Sequence, residues 1–495
     1  MRIVDREPTF PVGSRAKGVQ PRTLELLDDL GVVDEILRVG RTRVTFRHFR
    51  GREVIRETTL CPDDAPTAGV PYPCGVLIPQ TFVEHVLRER LASFGPRVEL
   101  DTALTAIDAT DHAVRATLAT RDGRQEQIEV DYLVGCDGGR SFVRKALAIP
   151  FAGETHETER ALIGDVHVDG LVPDAWHMWL DVERGLGFAL CPLPGTDVWQ
   201  FQGPQEEDAN GALTSPSVDA FQSAFDRYAG IPGVRLHDAT WLSTYRVNVR
   251  MAERFRVGRV FLAGDAAHVH SIAGGLGMNT GMQDAYNLGW KLAAVLQGHA
   301  GAGLLESYDA ERLPIAAWTL NVTSARQEEV IAAARAGHGG IEAGRSGDTT
   351  QLSLNYRWSA LSRETVSRSS GLRAGDRAPD VDCGALDTGA TTRLFDIFRG
   401  PHFTLLAFGG GSPASRESAA SAFGGATRVC SVVRSDADAR HSSTSDVVLA
   451  DSAGEAHRAY GVDRDTLVLV RPDGYVGLIA AGDDAAAVDE YFGAL

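Results

Sequence analysis

The chain has 495 residues, 43% of them apolar and 23% charged, and a formal net charge of −17. That length exceeds one hydrophobic core and predicts two or three domains. The negative balance argues against nucleic acid or an anionic membrane as a partner, and no apolar run is long enough to span a bilayer.

The amino-terminal "MRIVDREPTF" lacks the apolar core of a secretion signal, so a cytoplasmic location is expected. "RIV" reads as a strand with Asp5 and Arg6 after it. "PRTLELLDDLGVVDEIL" and "TFVEHVLRERLASF" carry apolar residues at helical spacing. "RVELDTALTAIDATDHAVRATLAT" alternates like a strand pair, with "DGRQ" as the next turn. "VDYLVGCDGGRSFVRKAL" runs strand, Asp137-Gly138, then a helix opened by Ser141 and Arg144. From 151 to 250 the pattern is β-rich, with "RALIGDVHVDG", "GLGFALCPLPG" and "DVWQFQG" as short strands.

Residues 251–340 return to strand and long helices. The strand Val260–Ala263 ends in Gly264-Asp265, and a glycine-rich loop leads to a helix from about Asn279 to Leu296. The carboxyl end of a strand before a helix is where open α/β sheets bind ligands. Glycines there admit positive φ and close backbone approach. A helix N-terminus favours an anionic group placed before it. The plain alternative is that Asp265 caps a helix and the glycines turn the chain. His268 and His270 lack the acidic neighbours and ligand spacing of a metal site, so no metal is expected. Residues 341–371 are polar and read as a linker, and 372–495 form a last compact α/β unit. Regions 1–150 and 251–340 are expected to form one domain with 151–250 inserted. The six cysteines show no C-x-x-C spacing, which predicts reduced thiols and no disulfide framework.

"DGGRSFVR" resembles the D-G-x-x-S-x-x-R motif of the flavoprotein aromatic hydroxylases. "GRVFLAGDAAHVHSIAGGLGMNTGMQDAYNLGWKL" is similar to that family's second flavin motif along its length. "GSRAKGVQPRTLELLDDLGVVDEIL", "VLIPQTFVEHVLRERL" and the tail "LVLVRPDGYVG" resemble further segments of these enzymes. The resemblance implies an α/β protein, α+β overall. It would have a Rossmann-like FAD-binding domain, an inserted, mainly antiparallel substrate sheet and a thioredoxin-like C-terminal domain without C-x-x-C. Thiol–disulfide exchange is not expected of that last domain; an oligomerising role, as in a homodimer, is.

The resemblance further implies an FAD-dependent monooxygenase. NAD(P)H would reduce the flavin, and O2 would give a C4a-hydroperoxide that hydroxylates an aromatic or polyketide-type substrate. Asp265 would hold ribityl hydroxyls. Gly277, Met278 and Asn279 would present backbone N–H groups to the pyrimidine edge. Arg15 and Gln80 match contacts to the ribityl-phosphate region, Asp5 the acid on the adenosine ribose, Arg6 a residue stacked on adenine, and Asp137 a residue near the pyrophosphate. Trp179, Phe188, Trp199, Phe201, Tyr245 and Ile272 are candidate pocket residues, with Ile272 where the family usually has Pro and Leu276 where it usually has Gln. No residue is singled out as a catalytic acid or base. The family's G-x-G-x-x-G is absent, and the chain starts at what matches the second strand, so an in-frame extension before Met1 is expected. Baeyer–Villiger or epoxidation chemistry is the alternative activity; a fold that binds no FAD is the non-enzymatic one.

Overall fold

The computed structural model describes residues 1–495 apart from 62, 182–185, 208–210, 336–346, 368–370 and 435–446. In the first region the helical stretch after Gln20 is two helices, α1 (Pro21–Asp29) and α2 (Val33–Val39). Gly31 separates them at φ 72°, in the left-handed region that favours glycine at a helix end. They and α3 (Gln80–Ser93) close over a core of Leu24, Leu27, Ile36, Ile78 and Val83. Two short parallel pairings carry the α/β part: Ile3–Val4 with Val98–Glu99, and Leu133–Gly135 with Val260–Leu262. The alternating stretch after residue 101 is a three-stranded meander, Thr102–Ala109, Val114–Thr120 and Gln125–Val130. The short helix α4 (Phe142–Ala146) follows the Asp137 elbow.

The β-rich region forms an eight-stranded mixed sheet covered on one face by α5 (Val218–Tyr228). Its strand order is His268–Val269, Arg235–Ala252, Phe151–Asp169, Val198–Pro204, Leu186–Pro192, Trp176–Asp181, Val44–Arg50 and Glu53–Leu60. All its pairings are antiparallel except that of Trp176–Asp181 with Val44–Arg50. The sheet therefore does not stop at the expected 151–250 boundaries. It recruits a hairpin from before residue 61 and a strand from after 267, because the edges of the insert are completed by backbone pairing with the flanking region.

The helices α6 (Gly277–Leu296) and α7 (Glu306–Arg335) return to the first region. Residues 347–361, expected as part of a linker, are packed instead. Gln351, Tyr356 and Ser359 are buried, because their polar groups meet buried polar partners: Gln351 Nε2 donates to Thr280 Oγ1 (3.1 Å) and Ser359 Oγ to Glu311 Oε1 (2.6 Å). Residues 341–346 and 368–370 of the expected linker lie outside the described residues.

The C-terminal unit is a second eight-stranded sheet. Phe403–Phe408 lies near its centre and is buried at every position, as a strand covered on both faces requires. Helices α8 (Leu394–Phe398), α9 (Pro413–Ser421), α10 (Glu455–Ala459) and α11 (Ala485–Gly493) flank it. Phe403–Phe408, α9 and the parallel strand Thr427–Val433 lead to the antiparallel pair Thr466–Val470 and Val476–Ala481 and then α11, the order of a thioredoxin-like fold. One cysteine expectation is corrected. The turn between Cys61 and Cys74 brings their Cα atoms to 6.0 Å, and the two are joined as a disulfide.

Candidate active site

The strand Val260–Leu262 delivers Gly264 and Asp265 into a single 3-10 turn. Gly264 has φ 59°, and a Cβ on Gly281 would stand 3.1 Å from the Gly264 Cα. The turn and α6 thus touch backbone to backbone. The Asp265 carboxylate has no hydrogen-bond partner among the described residues and is exposed. Protein crowding nevertheless pushes its pKa up, against the pull of His268 and Arg15.

The loop before α6 turns through Gly274 and Gly275 at φ 77° and 65°. Leu276, at the N-cap, supplies no side-chain cap, and the first backbone bond of α6 runs from Thr280 N to Leu276 O. The N–H groups of Gly277, Met278 and Asn279 have no acceptor among the described residues, so they and the helix dipole are available to a ligand. Asn279 has a further role that the sequence did not disclose. Its buried side chain accepts from Gln20 N (2.8 Å) and donates to Gly18 O (3.0 Å) and Gly275 O (2.8 Å). It staples the loop ahead of α1 to the glycine-rich loop.

Behind this surface lies a buried polar network that sequence reading missed. Asp284 Oδ2 accepts from Gly264 N (3.0 Å) and pairs with His268 Nε2 (2.7 Å), while its Oδ1 takes Arg312 Nε (2.7 Å). Arg312 also donates to Tyr356 Oη (2.8 Å) and Thr280 O (3.2 Å). Burial raises the Asp284 pKa, but Arg312 and His268 outweigh it and hold the carboxyl below its usual range. His270 stacks on His268 with centroids 6.0 Å apart, and burial, with the adjacent His268, lowers its pKa to about 4.

The other elbow, exposed at Asp137, is taken up by capping. Asp137 Oδ2 accepts from Phe142 N (2.7 Å) and Val143 N (3.0 Å), and Ser141 Oγ accepts from Arg144 N (2.9 Å). Both residues cap α4. Arg144 is buried over the Phe151 ring and donates to Ala266 O (2.7 Å) and Gly139 O (2.8 Å); it ties the two Asp elbows together. Gln80 Oε1 accepts from Ala16 N (3.0 Å) and fixes the segment that carries the exposed Arg15. Asp5 accepts from Glu7 N (2.9 Å), and the exposed Arg6 pairs with Glu7 (3.3 Å).

The pocket expectation needs correction. Trp179, Phe188, Trp199 and Phe201 share the sheet face beneath α5, packed with Phe221 and Phe225. Strand alternation turns them away from the Arg15 loop, and they form core. Tyr245 projects from the opposite face, its Oη 3.4 Å from His270 O, and Ile272 is 56% exposed on the glycine-rich loop. The opposite face joins an apolar patch, Phe46, Trp176, Met178, Ala189 and Cys191, to a polar one. Asp165 Oδ2 accepts from Ser14 N (2.7 Å), Gln202 Nε2 donates to Gln200 Oε1 (2.9 Å), and Lys17 lies over the Trp176 ring at 4.5 Å. A Cβ on Gly13 would strike the Trp241 ring at 2.3 Å, so the loop seats against the sheet only as glycine.

A strand–Asp turn, a glycine-rich loop and an uncapped helix set against a separate sheet define a flavoprotein of two-part architecture. Residues 1–323 match the FAD binding domain family, and residues 428–495 match the phenol hydroxylase C-terminal dimerisation domain. The chain belongs to this family of FAD-dependent aromatic-compound monooxygenases. It is 40% identical over 483 residues, 97% of this chain and 91% of the relative, to a flavin-dependent monooxygenase of Mycobacteroides abscessus. It is 35% identical to the 6-methylpretetramide 4-monooxygenase of Streptomyces rimosus, covering 96% of this chain and 86% of that one. The solved ternary complex of aklavinone-11 hydroxylase with FAD and aklavinone superposes with a TM-score of 0.81 at 28% identity, covering 99% of this chain and 93% of that one. Among the described residues no helix is long and apolar enough to cross a membrane, and no group of three metal-binding side chains occurs.

Proposed function

We propose that the chain hydroxylates an electron-rich aromatic ring, of the polycyclic phenol or aromatic polyketide class, with NAD(P)H and O2 as co-substrates, in the cytoplasm and as a homodimer. One observation carries the reading: the uncapped first turn of α6 stands next to the unpartnered carboxylate of Asp265. A flavin fits that pair. Its pyrimidine edge needs hydrogen-bond donors, which Gly277, Met278 and Asn279 offer through their N–H groups, and its ribityl hydroxyls need an acceptor, which Asp265 offers. Arg15 and Gln80 would hold the ribityl-phosphate region, Asp5 and Arg6 the adenosine, and the Asp137 elbow the pyrophosphate. FAD, when bound, supplies the hydride acceptance and oxygen chemistry; the protein supplies orientation and a dry site.

Substrate would lie between the glycine-rich loop and the sheet face opposite α5, with Tyr245 and Ile272 at its border and Gln202 and the Asp165–Ser14 contact on its floor. The dimerisation-domain match over residues 428–495 supports the homodimer. The test is stopped-flow reduction of the FAD-loaded protein by NAD(P)H, with and without a panel of phenols, naphthoquinols and aromatic polyketides, followed by mass analysis. Acceleration by a panel member and a gain of one oxygen on its ring are expected. No acceleration and no oxygen gain across the panel would overturn the reading; oxygen inserted beside a ketone would replace it with Baeyer–Villiger chemistry.

A further inference from the structure

The carboxyl ends of the parallel strands Phe403–Phe408, Thr427–Val433 and Val447–Ala450 share one edge of the C-terminal sheet. In open α/β sheets this is the edge that binds ligands. An open pocket of about 260 Å³ lies there, lined by Arg434, Gly454, His457, Arg458, Val462 and Asp463 among others. It is remote in sequence from every residue assigned to the flavin.

Its chemistry is cationic in a chain of net charge −17. Nη1 of Arg458 and Nη1 of Arg434 lie 3.3 and 3.5 Å from the point where a Cβ on Gly454 would stand. Gly454 has φ 68°, a backbone conformation that side-chain-bearing residues rarely adopt. Arg458 Nη1 also donates to Ala453 O (2.8 Å). Both guanidinium groups are exposed, and among the described residues no carboxylate pairs with either; two cations held near one point favour an anion placed between them. The third group is His457, 6% exposed. Its Nδ1 is held at 2.6 Å by Asp451 Oδ2, which also accepts the His457 N–H (2.9 Å). Burial raises the Asp451 pKa, but these bonds from His457 outweigh it and keep the carboxyl ionised. The ring is thereby fixed by its Nδ1, as an oriented imidazole is in binding sites, and its Nε2 has no partner among the described residues.

We propose that this pocket binds the phosphate group of a small molecule, with Arg434 and Arg458 as paired donors and His457 completing the cradle. Guanidinium groups match phosphate oxygens in charge and fork geometry. Such a site gives the C-terminal domain a ligand of its own, independent of the aromatic substrate.

The experiment uses the full-length, FAD-loaded protein at ionic strength held constant with chloride. Inorganic phosphate, glycerol phosphate and malonate are titrated by calorimetry into the parent and into Arg434→Gln/Arg458→Gln. Saturable binding of phosphate to the parent, at least tenfold weaker in the double variant with flavin content unchanged, is the expected result. Glycerol phosphate binding as tightly as phosphate would identify a phosphate monoester as the natural class; weaker binding would assign the site to the free ion. Absence of saturable phosphate binding, equal binding by the double variant, or malonate binding as tightly as phosphate would overturn the proposal. So would a double variant that sediments as a dissociated species, since the arginines would then serve a subunit interface.

Discussion

A raised carboxyl pKa has a direct energetic meaning at Asp265. A group that holds its proton more tightly when folded stabilises the fold fully below its unfolded value near 3.8, and loses that contribution as pH rises through the folded value. At neutral pH the ionised Asp265 is therefore a burden on the flavin-free protein. Asp265→Asn is expected to leave the melting temperature of the flavin-free protein at pH 7 equal to or above the parent's, while flavin retained after dilution falls. Loss of one charged acceptor for a ribityl hydroxyl costs about 1–3 kcal/mol. A variant that keeps its flavin would refute the assigned role. Asn279 presents the opposite case. Asn279→Ala leaves the buried Gln20 N without its partner and removes the bonds to the carbonyls of half-buried Gly18 and exposed Gly275; the buried donor alone costs on the order of 1–3 kcal/mol. A denaturant midpoint well below the parent's, together with lowered flavin content, is expected; an unchanged midpoint would mean that water replaces the staple.

At the level of elements, the seam between the Asp265 turn and α6 rests on two facing glycines. Gly281→Val would push against the Gly264 Cα and separate strand end from helix. Flavin affinity should fall more than tenfold, with far-ultraviolet dichroism unchanged, if that close approach sets the site. The sheet makes a complementary prediction. Phe201 stacks on Phe221 with centroids 4.0 Å apart beneath α5, so Phe201→Ala should cost about 3–5 kcal/mol of stability while leaving KM for the aromatic substrate within about twofold of the parent's. A large KM change without loss of stability would return Phe201 to the pocket. These elements also show how legible the fold was. The strand–Asp–glycine–helix pattern around Asp265 could be read directly, because turn chemistry and helical periodicity are local. The α5-facing aromatics could not be assigned a side from alternation alone, since both faces of this sheet are covered. Asp284 on α6 and Arg312 on α7 stand 28 residues apart, and only the third dimension reveals that they meet. The hairpin Val44–Leu60 and the packed segment 347–361 were misplaced for the same reason, as their partners are far along the chain.

Over the whole molecule, a buried ionic junction joins the flavin helices to the C-terminal domain. Glu311 on α7 is held by Lys291 Nζ (2.7 Å) and by both terminal nitrogens of Arg471 (2.7 and 2.9 Å), and Arg471 also holds Asp473 (2.6 Å). Asn287 and Trp290 of α6 donate to Asp473 at 3.2 and 3.1 Å, and Arg22 of α1 to its carbonyl at 2.6 Å. Removing one partner of such a set leaves charge buried and uncompensated, at a cost of about 3–5 kcal/mol. Arg471→Ala should accordingly split thermal unfolding into separate transitions for the two parts; a single transition at the parent temperature would show that apolar contacts suffice. Burial, only partly offset by Glu311, lowers the Lys291 pKa to about 8 from 10.5. The unfolded chain then holds that proton over the interval between these values, so the contribution of Lys291 to stability rises with pH there. Lys291→Met should remove that rise, which melting curves from pH 8 to 10.5 would detect as a lower slope than the parent's. The same junction bears on inheritance. Its members come from four distant stretches of sequence, around residues 22, 290, 311 and 472, and none is useful alone. A recombination event between relatives that exchanged the C-terminal domain without the matching α6 and α7 positions would bring together two half-sets of buried charge. Wherever relatives differ in these residues, the two parts of the protein are expected to evolve as one lineage rather than as interchangeable modules.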